Sequence, residues 1–352
     1  MIPVTILTGF LGSGKTTLLK RILNEKHGMK IAVIENEFGE ENIDNEILVQ
    51  ETNEQIIQMS NGCICCTIRG DLARALEDLA NRKKAGTLDF DRVVIETTGL
   101  ANPGPVAQTF FMDNTVADEF LLDAIITLVD AKHANAQLDQ HEVVQRQVGF
   151  ADRLFITKSD LVDAEALEAL KHRLVHMNPR AAIKVVNFGD ADIKEIFDLR
   201  GFNLNSKLEI DPDFLAEDDH DHDHAHAHDD DHDHATCGHD HEHHHHHHHA
   251  HHDDKIKSFV YRSDKPFDPN RLEDFLGGIL QIYGERLLRY KGVLYMKGVD
   301  RKVVFQGVHQ MMGSDLAAKW MPIEKKNSKM VFIGIELPKD LITDGLNACL
   351  VK

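Results

Sequence analysis

From the first residue to about residue 208, short apolar runs alternate with longer polar or amphipathic stretches. Segments 2–8, 30–35, 54–59, 92–95, 124–129, 153–156 and 183–186 have the length and apolar content of strands. Segments such as 71–83 and 164–176 have helical spacing. Repeated strand–helix alternation predicts an α/β class, with a doubly wound, mostly parallel sheet. Sheets of that kind take ligands at the carboxyl ends of their strands.

The pattern then collapses. The stretch from Asp218 to Asp254 is built almost wholly of His and Asp, and has no apolar periodicity. Such a composition cannot bury a core and predicts disorder without ligand. Order returns at Lys255. Segments 255–262, 289–296, 302–309 and 329–337 predict strands, and 269–283 and 339–350 predict helices. The expectation is a small α+β domain running strand, helix, three strands, helix. The chain therefore divides into a nucleotide-type α/β domain at 1–208, a His/Asp-rich linker at 209–255 and a C-terminal α+β domain at 256–352.

Composition narrows the function. No apolar run approaches the ~18 residues of a membrane span, and "MIPVTILTGF" lacks a basic leader. A cytoplasmic protein with no membrane partner is expected, and there a cysteine cluster reads as metal-binding or redox before disulfide. The net charge is −19, but residues 217–254 hold thirteen acidic residues and no Lys or Arg, leaving −6 for the rest. A mildly acidic body argues against a nucleic-acid partner.

"GFLGSGKT" is Gly9, four residues, then Gly14-Lys15-Thr16, after a strand and before a helix, the context a P-loop needs. Gly9, Gly12, Ser13, Gly14 and Thr17 would wrap phosphate oxygens with backbone N–H groups at a helix N-terminus. Lys15 would reach the β- and γ-phosphates and Thr16 would ligate Mg²⁺. "RVVIETTGLANP" adds Glu96 at a strand end, where a carboxylate orients Mg²⁺ or its waters, and Gly99, whose backbone can approach the γ-phosphate. Lys15, Thr16 and Glu96 are the catalytic candidates. "TKSD" ends another strand with Thr157, Lys158 and Asp160. The Asp160 carboxylate would accept from guanine N1–H and the 2-amino group, which adenine cannot offer, and the Lys158 stem would pack over the base. Thr157 stands where Asn is commoner. GTP is the expected nucleotide; a P-loop kinase would need an acceptor pocket and base that the sequence does not display.

Three of the five cysteines fall in "NGCICC", as Cys63, Cys65 and Cys66. The segment follows a strand, and "IENEFGEENID" follows another, so both lie at the P-loop edge of the sheet. Residues 35–44 hold Glu35, Glu37, Glu40, Glu41 and Asp44 in the place of a nucleotide-sensing switch. Two or three thiolates with one switch carboxylate would form a tetrahedral zinc site that could be remade when the γ-phosphate orders the switch. Incidental buried cysteines and a redox dithiol are the alternatives. The tract from His220 to His252 carries 18 of 24 histidines, suited to loose capture of many ions, with Cys237 as an added ligand. Its internal position argues against a purification tag. His27, His133, His172 and His176 read as surface or satisfied core residues, and His309 stays open.

Taken in order, "TGFLGSGKTTLL", "ENEFGE", "NGCICC", "ETTGLANP", "TKSD", "LLRYKGVLY" and "FQGVHQ" resemble the CobW-like branch of the P-loop metallochaperone GTPases. The likeness covers nearly the whole chain except the His/Asp tract. It implies slow, metal-sensitive GTP hydrolysis coupled to delivery of Zn²⁺, or Co²⁺ or Ni²⁺, to a client metalloprotein. It also implies a metal site drawn from Cys63, Cys65, Cys66, Glu35 and Glu40, with Glu37 and Glu41 as further candidates. The alternative function is a zinc-storage protein with a regulatory nucleotide site. Neither the client nor homo-oligomerisation is specified.

Overall fold

The computed structural model describes residues 1–35, 69–202 and 254–351. Six strands form a parallel sheet in the order β2-β3-β1-β4-β5-β6: β1 (Ile2–Gly9), β2 (Ile31–Glu35), β3 (Arg92–Glu96), β4 (Phe120–Asp130), β5 (Arg153–Thr157) and β6 (Ala182–Val185). The chain moves from β1 to one side for β2 and β3, then to the other for β4 to β6. That reversal at β1 opens the crevice in which such sheets bind ligands. The expected strand at 54–59, Cys63, Cys65, Cys66, Cys237 and the tract as far as residue 253 lie outside the described residues, as do the boundaries around 208 and 209.

Alternate residues of each strand feed two cores. Val4, Ile6, Ile34, Val93, Ile95 and Ile125 pack on one face with α2 (Arg69–Lys84), α3 (Pro103–Met112), α6 (Glu142–Phe150) and α7 (Ala164–Met177). Leu7, Val33, Val94, Ile126 and Leu128 pack on the other with α1 (Lys15–Asn24). Burial on both faces is why the strands read as unbroken apolar runs. The short helices α4 (Asn114–Glu119) and α5 (Ala134–Gln140) complete the first layer. β4 is longer than the expected 124–129 because its start, Phe120 to Leu122, pairs with Ile2 to Val4 of β1.

The C-terminal unit is an antiparallel sheet in the order β10-β9-β8-β11-β7. Its strands are β7 (Ile256–Ser263), β8 (Leu287–Leu294), β9 (Arg301–Val308), β10 (Met311–Lys319) and β11 (Ser328–Ile335), with α8 (Pro269–Tyr283) and α9 (Lys339–Ala348). One strand more than expected follows α8. β10, "MMGSDLAAK", is an edge strand exposed along nearly its whole length, so no buried face imposes an apolar alternation. One face of this sheet packs on α8 and α9 through Phe259, Tyr290, Phe305 and Phe332. The other face sends Val260, Leu288, Val308, Val331 and Ile333 into the same core as the parallel sheet. No helix among the described residues is long and apolar enough to cross a membrane.

A buried charge cluster lies where the two sheets meet. Arg289 Nη2 donates to Asp152 Oδ1 at 2.7 Å, and its guanidinium lies 3.8 Å from the Phe202 ring centre. Arg180 reaches the same carboxylate at 3.9 Å. Burial, with the neighbouring Arg289, pushes Arg180 down to about 9. Burial, with Arg180 and Arg289, pushes Lys291 down to about 8. Asp152 thus faces three cations among the described residues. Asp152→Ala is expected to cost about 3–5 kcal/mol, the range for stranding buried charge. Wild type and variant should both grow more stable as pH rises from about 8 toward the ordinary lysine range. There Lys291 sheds its proton when folded while the unfolded chain still binds one, so stability rises with pH. Urea melts of both proteins at several pH values check this; equal midpoints at neutral pH would refute it.

Candidate nucleotide and metal site

The loop after β1 is shaped by close backbone approaches. Gly9 has φ +140°, and a Cβ there would lie 2.5 Å from the Leu128 carbonyl and 2.7 Å from Ser13 Oγ, so only glycine fits. Gly12 and Gly14 complete the turn, and Gly14 opens α1. Lys15 is buried, and its ammonium donates to the Gly9 carbonyl at 2.8 Å and the Phe10 carbonyl at 3.1 Å. Burial lowers its pKa from the ordinary lysine value, and Glu96 pulls the other way. Thr17 is exposed in the first turn of α1.

Glu96 ends β3, beside the loop. Thr16 Oγ1 donates to Glu96 Oε1 at 2.9 Å, which joins two hard oxygen donors at the helix start. An alcohol and a carboxylate in this position fit Mg²⁺. Ser13 Oγ is buried in the same loop without a hydrogen-bond partner, which leaves a polar atom for a ligand to satisfy. Gly99 lies against Leu11: a Cβ at Gly99 would be 2.6 Å from the Leu11 backbone nitrogen. Its carbonyl and that of Ala101 both accept from the buried Gln147 Nε2, at 3.1 Å each.

The loop after β5 is tied to the same place. Thr157 is buried, and its hydroxyl donates to the Ser13 carbonyl at 2.9 Å and lies 3.3 Å from the Val129 carbonyl. Its role here is to anchor the P-loop to β5. Lys158 has φ +56°, and its ammonium donates to Asp130 Oδ2 at 2.7 Å. Burial would raise the Asp130 pKa, but hydrogen bonds from Lys158 and His133 outweigh it and hold the carboxylate below its usual range. Asp160 is exposed in the turn Ser159–Leu161.

Glu35 ends β2 in direct register with Glu96 of β3. In parallel strands, partners in register project to the same side of the sheet. The one candidate ligand of the transferred metal that falls among the described residues, Glu35, therefore stands one strand from Glu96. Cys63, Cys65, Cys66 and Glu40 lie outside the described residues.

A family model for the CobW/HypB/UreG nucleotide-binding domain matches residues 3–185, and one for the CobW C-terminal domain matches 256–350. The chain belongs to the CobW family. It is 41% identical over 344 residues to the zinc chaperone YjiA of Escherichia coli, covering 97% of this chain and 96% of that protein. It is 40% identical over 208 residues to a zinc-regulated GTPase metalloprotein activator of Schizosaccharomyces pombe, over 57% of this chain and 50% of that one. The crystal structure of Zn(II)-bound YjiA GTPase superposes with a TM-score of 0.76 at 38% identity, over 99% of both chains.

Two residues beside this site, Asp130 and Gln147, escaped the sequence reading, and a third, His309, was left open by it. Asp130 carried a faint signal, a carboxylate closing the apolar run of β4. Gln147 carried none, since a glutamine in an amphipathic helix looks solvated. His309 is buried in the β9–β10 turn; Nδ1 faces the Gly284 carbonyl at 3.2 Å, and the ring meets Phe150 edge-on at 5.2 Å. Burial lowers its pKa from the ordinary histidine value, with the nearby Arg146 adding to the effect. His27 and His133 make local bonds, to the Ile22 carbonyl and to Asp130, as expected of satisfied residues.

Gln147→Leu removes both bonds to the loop that carries Gly99 and leaves two carbonyls unmatched, a cost of about 1–3 kcal/mol each where the group stays dry. GTP turnover is expected to fall by about tenfold, the equivalent of 1.4 kcal/mol at the transition state, with a smaller change in GDP affinity. Steady-state hydrolysis and GDP titration check this, and unchanged turnover would refute a positioning role for Gln147.

Proposed function

We propose that this chain is a GTP-hydrolysing metallochaperone that binds zinc and delivers it to a client metalloprotein. The observation that carries the coupling is the register of Glu35 with Glu96. A carboxylate available to the transferred metal and a carboxylate available to Mg²⁺ end adjacent strands, so a movement at one strand end is felt at the other. The relatives' names supply the metal and the activity; the chemistry of the donors agrees. Thiolates at Cys63, Cys65 and Cys66 with Glu35 or Glu40 suit Zn²⁺ and other late transition metals.

In this proposal Lys15 compensates phosphate charge, and the Gly9-to-Thr17 backbone cradles the phosphates. Thr16 and Glu96 would hold Mg²⁺, which would supply positive charge to offset that of the phosphates. Gly99 presents its backbone where the γ-phosphate ends, and Gln147 fixes that backbone. Asp160 reads guanine. The switch at 35–44 closes over GTP and completes the Cys/Glu site, and hydrolysis reopens it for transfer. The linker at 209–255 gathers ions between the nucleotide-binding domain and the C-terminal domain, which serves as the client platform.

Asp160→Asn removes a charged acceptor worth about 1.5–3 kcal/mol, so GTP should bind about tenfold to a hundredfold more weakly. The amide should in turn favour xanthosine triphosphate, whose second carbonyl can accept from it. Competition against labelled GDP checks both, and unchanged GTP affinity would place the base elsewhere.

The coupling is tested by chelator-competed Zn²⁺ titrations with a non-hydrolysable GTP analogue and with GDP. The GTP analogue should tighten the chelator-resistant site by about 5- to 150-fold, and Zn²⁺ should tighten the analogue by the same factor. Cys65→Ala should erase the coupling while the analogue still binds. Equal zinc affinity in both nucleotide states would sink the proposal and leave a zinc store with a separate nucleotide site.

A further inference from the structure

The short segment after β6 holds a backbone outlier that the nucleotide site does not explain. Phe188 has φ +54° and ψ +27°, in the left-handed region, and its side chain is 79% exposed. A bulky aromatic residue is strained in that region, and here no burial offsets the strain. Conformations of this kind persist where the surroundings impose them, and they gather at ligand clamps.

The neighbours of Phe188 define its surroundings. Asn187 Oδ1 accepts from the Ser159 backbone N–H at 3.0 Å, and Asn187 Nδ2 donates to Ser159 Oγ at 2.8 Å. These two bonds stitch the segment to the loop that carries Lys158 and Asp160. On the other side Gly189 presses on α1: a Cβ there would lie 3.1 Å from the Thr17 carbonyl and from Leu18 Cα. Phe188 is therefore presented between the first turn of the P-loop helix and the base-reading loop. The backbone is held on both sides, and the aromatic ring stands out beside the exposed Asp160 loop.

The geometry points to Phe188 as an aromatic wall of the base site, stacking on the face of guanine while Asp160 reads its edge. This rests on the assignment of Asp160 under the proposed function. The two residues divide the work by chemistry. Stacking accepts any purine and adds affinity; the carboxylate separates guanine from adenine. The Lys158 ammonium is drawn to Asp130, at the end of β4, at 2.7 Å.

The test uses the full-length protein and competition against labelled GDP. Phe188→Ala should raise the Kd for GDP, for a non-hydrolysable GTP analogue and for ADP by one common factor, about 5- to 150-fold. In turnover the change should fall on KM rather than kcat. Phe188→Tyr should restore wild-type affinity. Phe188→Gly relieves the backbone strain, so its thermal midpoint should be no lower than wild type, yet it should bind as weakly as Phe188→Ala. Wild-type affinity in Phe188→Ala, or recovery of binding in Phe188→Gly, would overturn the wall. If Asp160→Asn weakens GTP while Phe188→Ala does not, the wall falls and the base site stands. If neither variant changes affinity, both fall together.

Discussion

The register of three parallel strands underlies the candidate site. Leu7 of β1 pairs with Glu96 of β3, and Glu96 pairs with Glu35 of β2. β2 and β3 end level and β1 runs on to Gly9, so the P-loop, Glu96 and Glu35 leave the sheet side by side. Burial on both faces enforces this register. A slip of one residue would send the outer core into the inner one and reverse every strand-end side chain. The strand register is thus held by the apolar core, while Thr157 and Gln147 pin the loops that leave the sheet.

The C-terminal sheet is joined to that frame through α6. Gln145 accepts from the Lys255 and Ile256 backbone N–H groups at the start of β7. Two residues on, Gln147 holds the carbonyls of Gly99 and Ala101. Phe150 closes the helix against His309, and a Cβ on Gly149 would press on Leu288 and Ile256. Two turns of one helix therefore carry the phosphate-side loop and the first strand of the second sheet. The bidentate pair of Arg173 with Asp254 fixes the residues just before that strand. Asp254 and the start of β7 are therefore held to the nucleotide-binding domain through both α6 and α7.

Much of the architecture was legible because each rule acts locally. A parallel strand buried on both faces is an unbroken apolar run, and α1 announces itself by its glycine-rich entry. α7 carries its own cap, Asp163, which accepts from the Ala166 N–H at 2.7 Å. β10 was not legible, since an exposed edge strand is held by backbone bonds to β9 and asks little of its side chains. The triangle of Arg289, Arg180 and Lys291 about Asp152 was equally hidden. Each of these residues looks solvated until the second sheet covers it.

The sequence by itself determined the candidate residues of the site, because a glycine-rich loop before a helix and carboxylates at or just after strand ends are short motifs legible from residue type and spacing. It also determined the fold class, because apolar period follows burial. Only the tertiary structure decided which strand ends are neighbours, since pairing order is set by crossovers and not by local pattern. That order put Glu35 beside Glu96 and set Thr157 under Ser13. It also pinned the Phe188 segment between α1 and the loop after β5. Residues such as Gln147 and Asp130 act through partners 46 and 28 positions away, and contacts at that range leave no periodic trace in the chain.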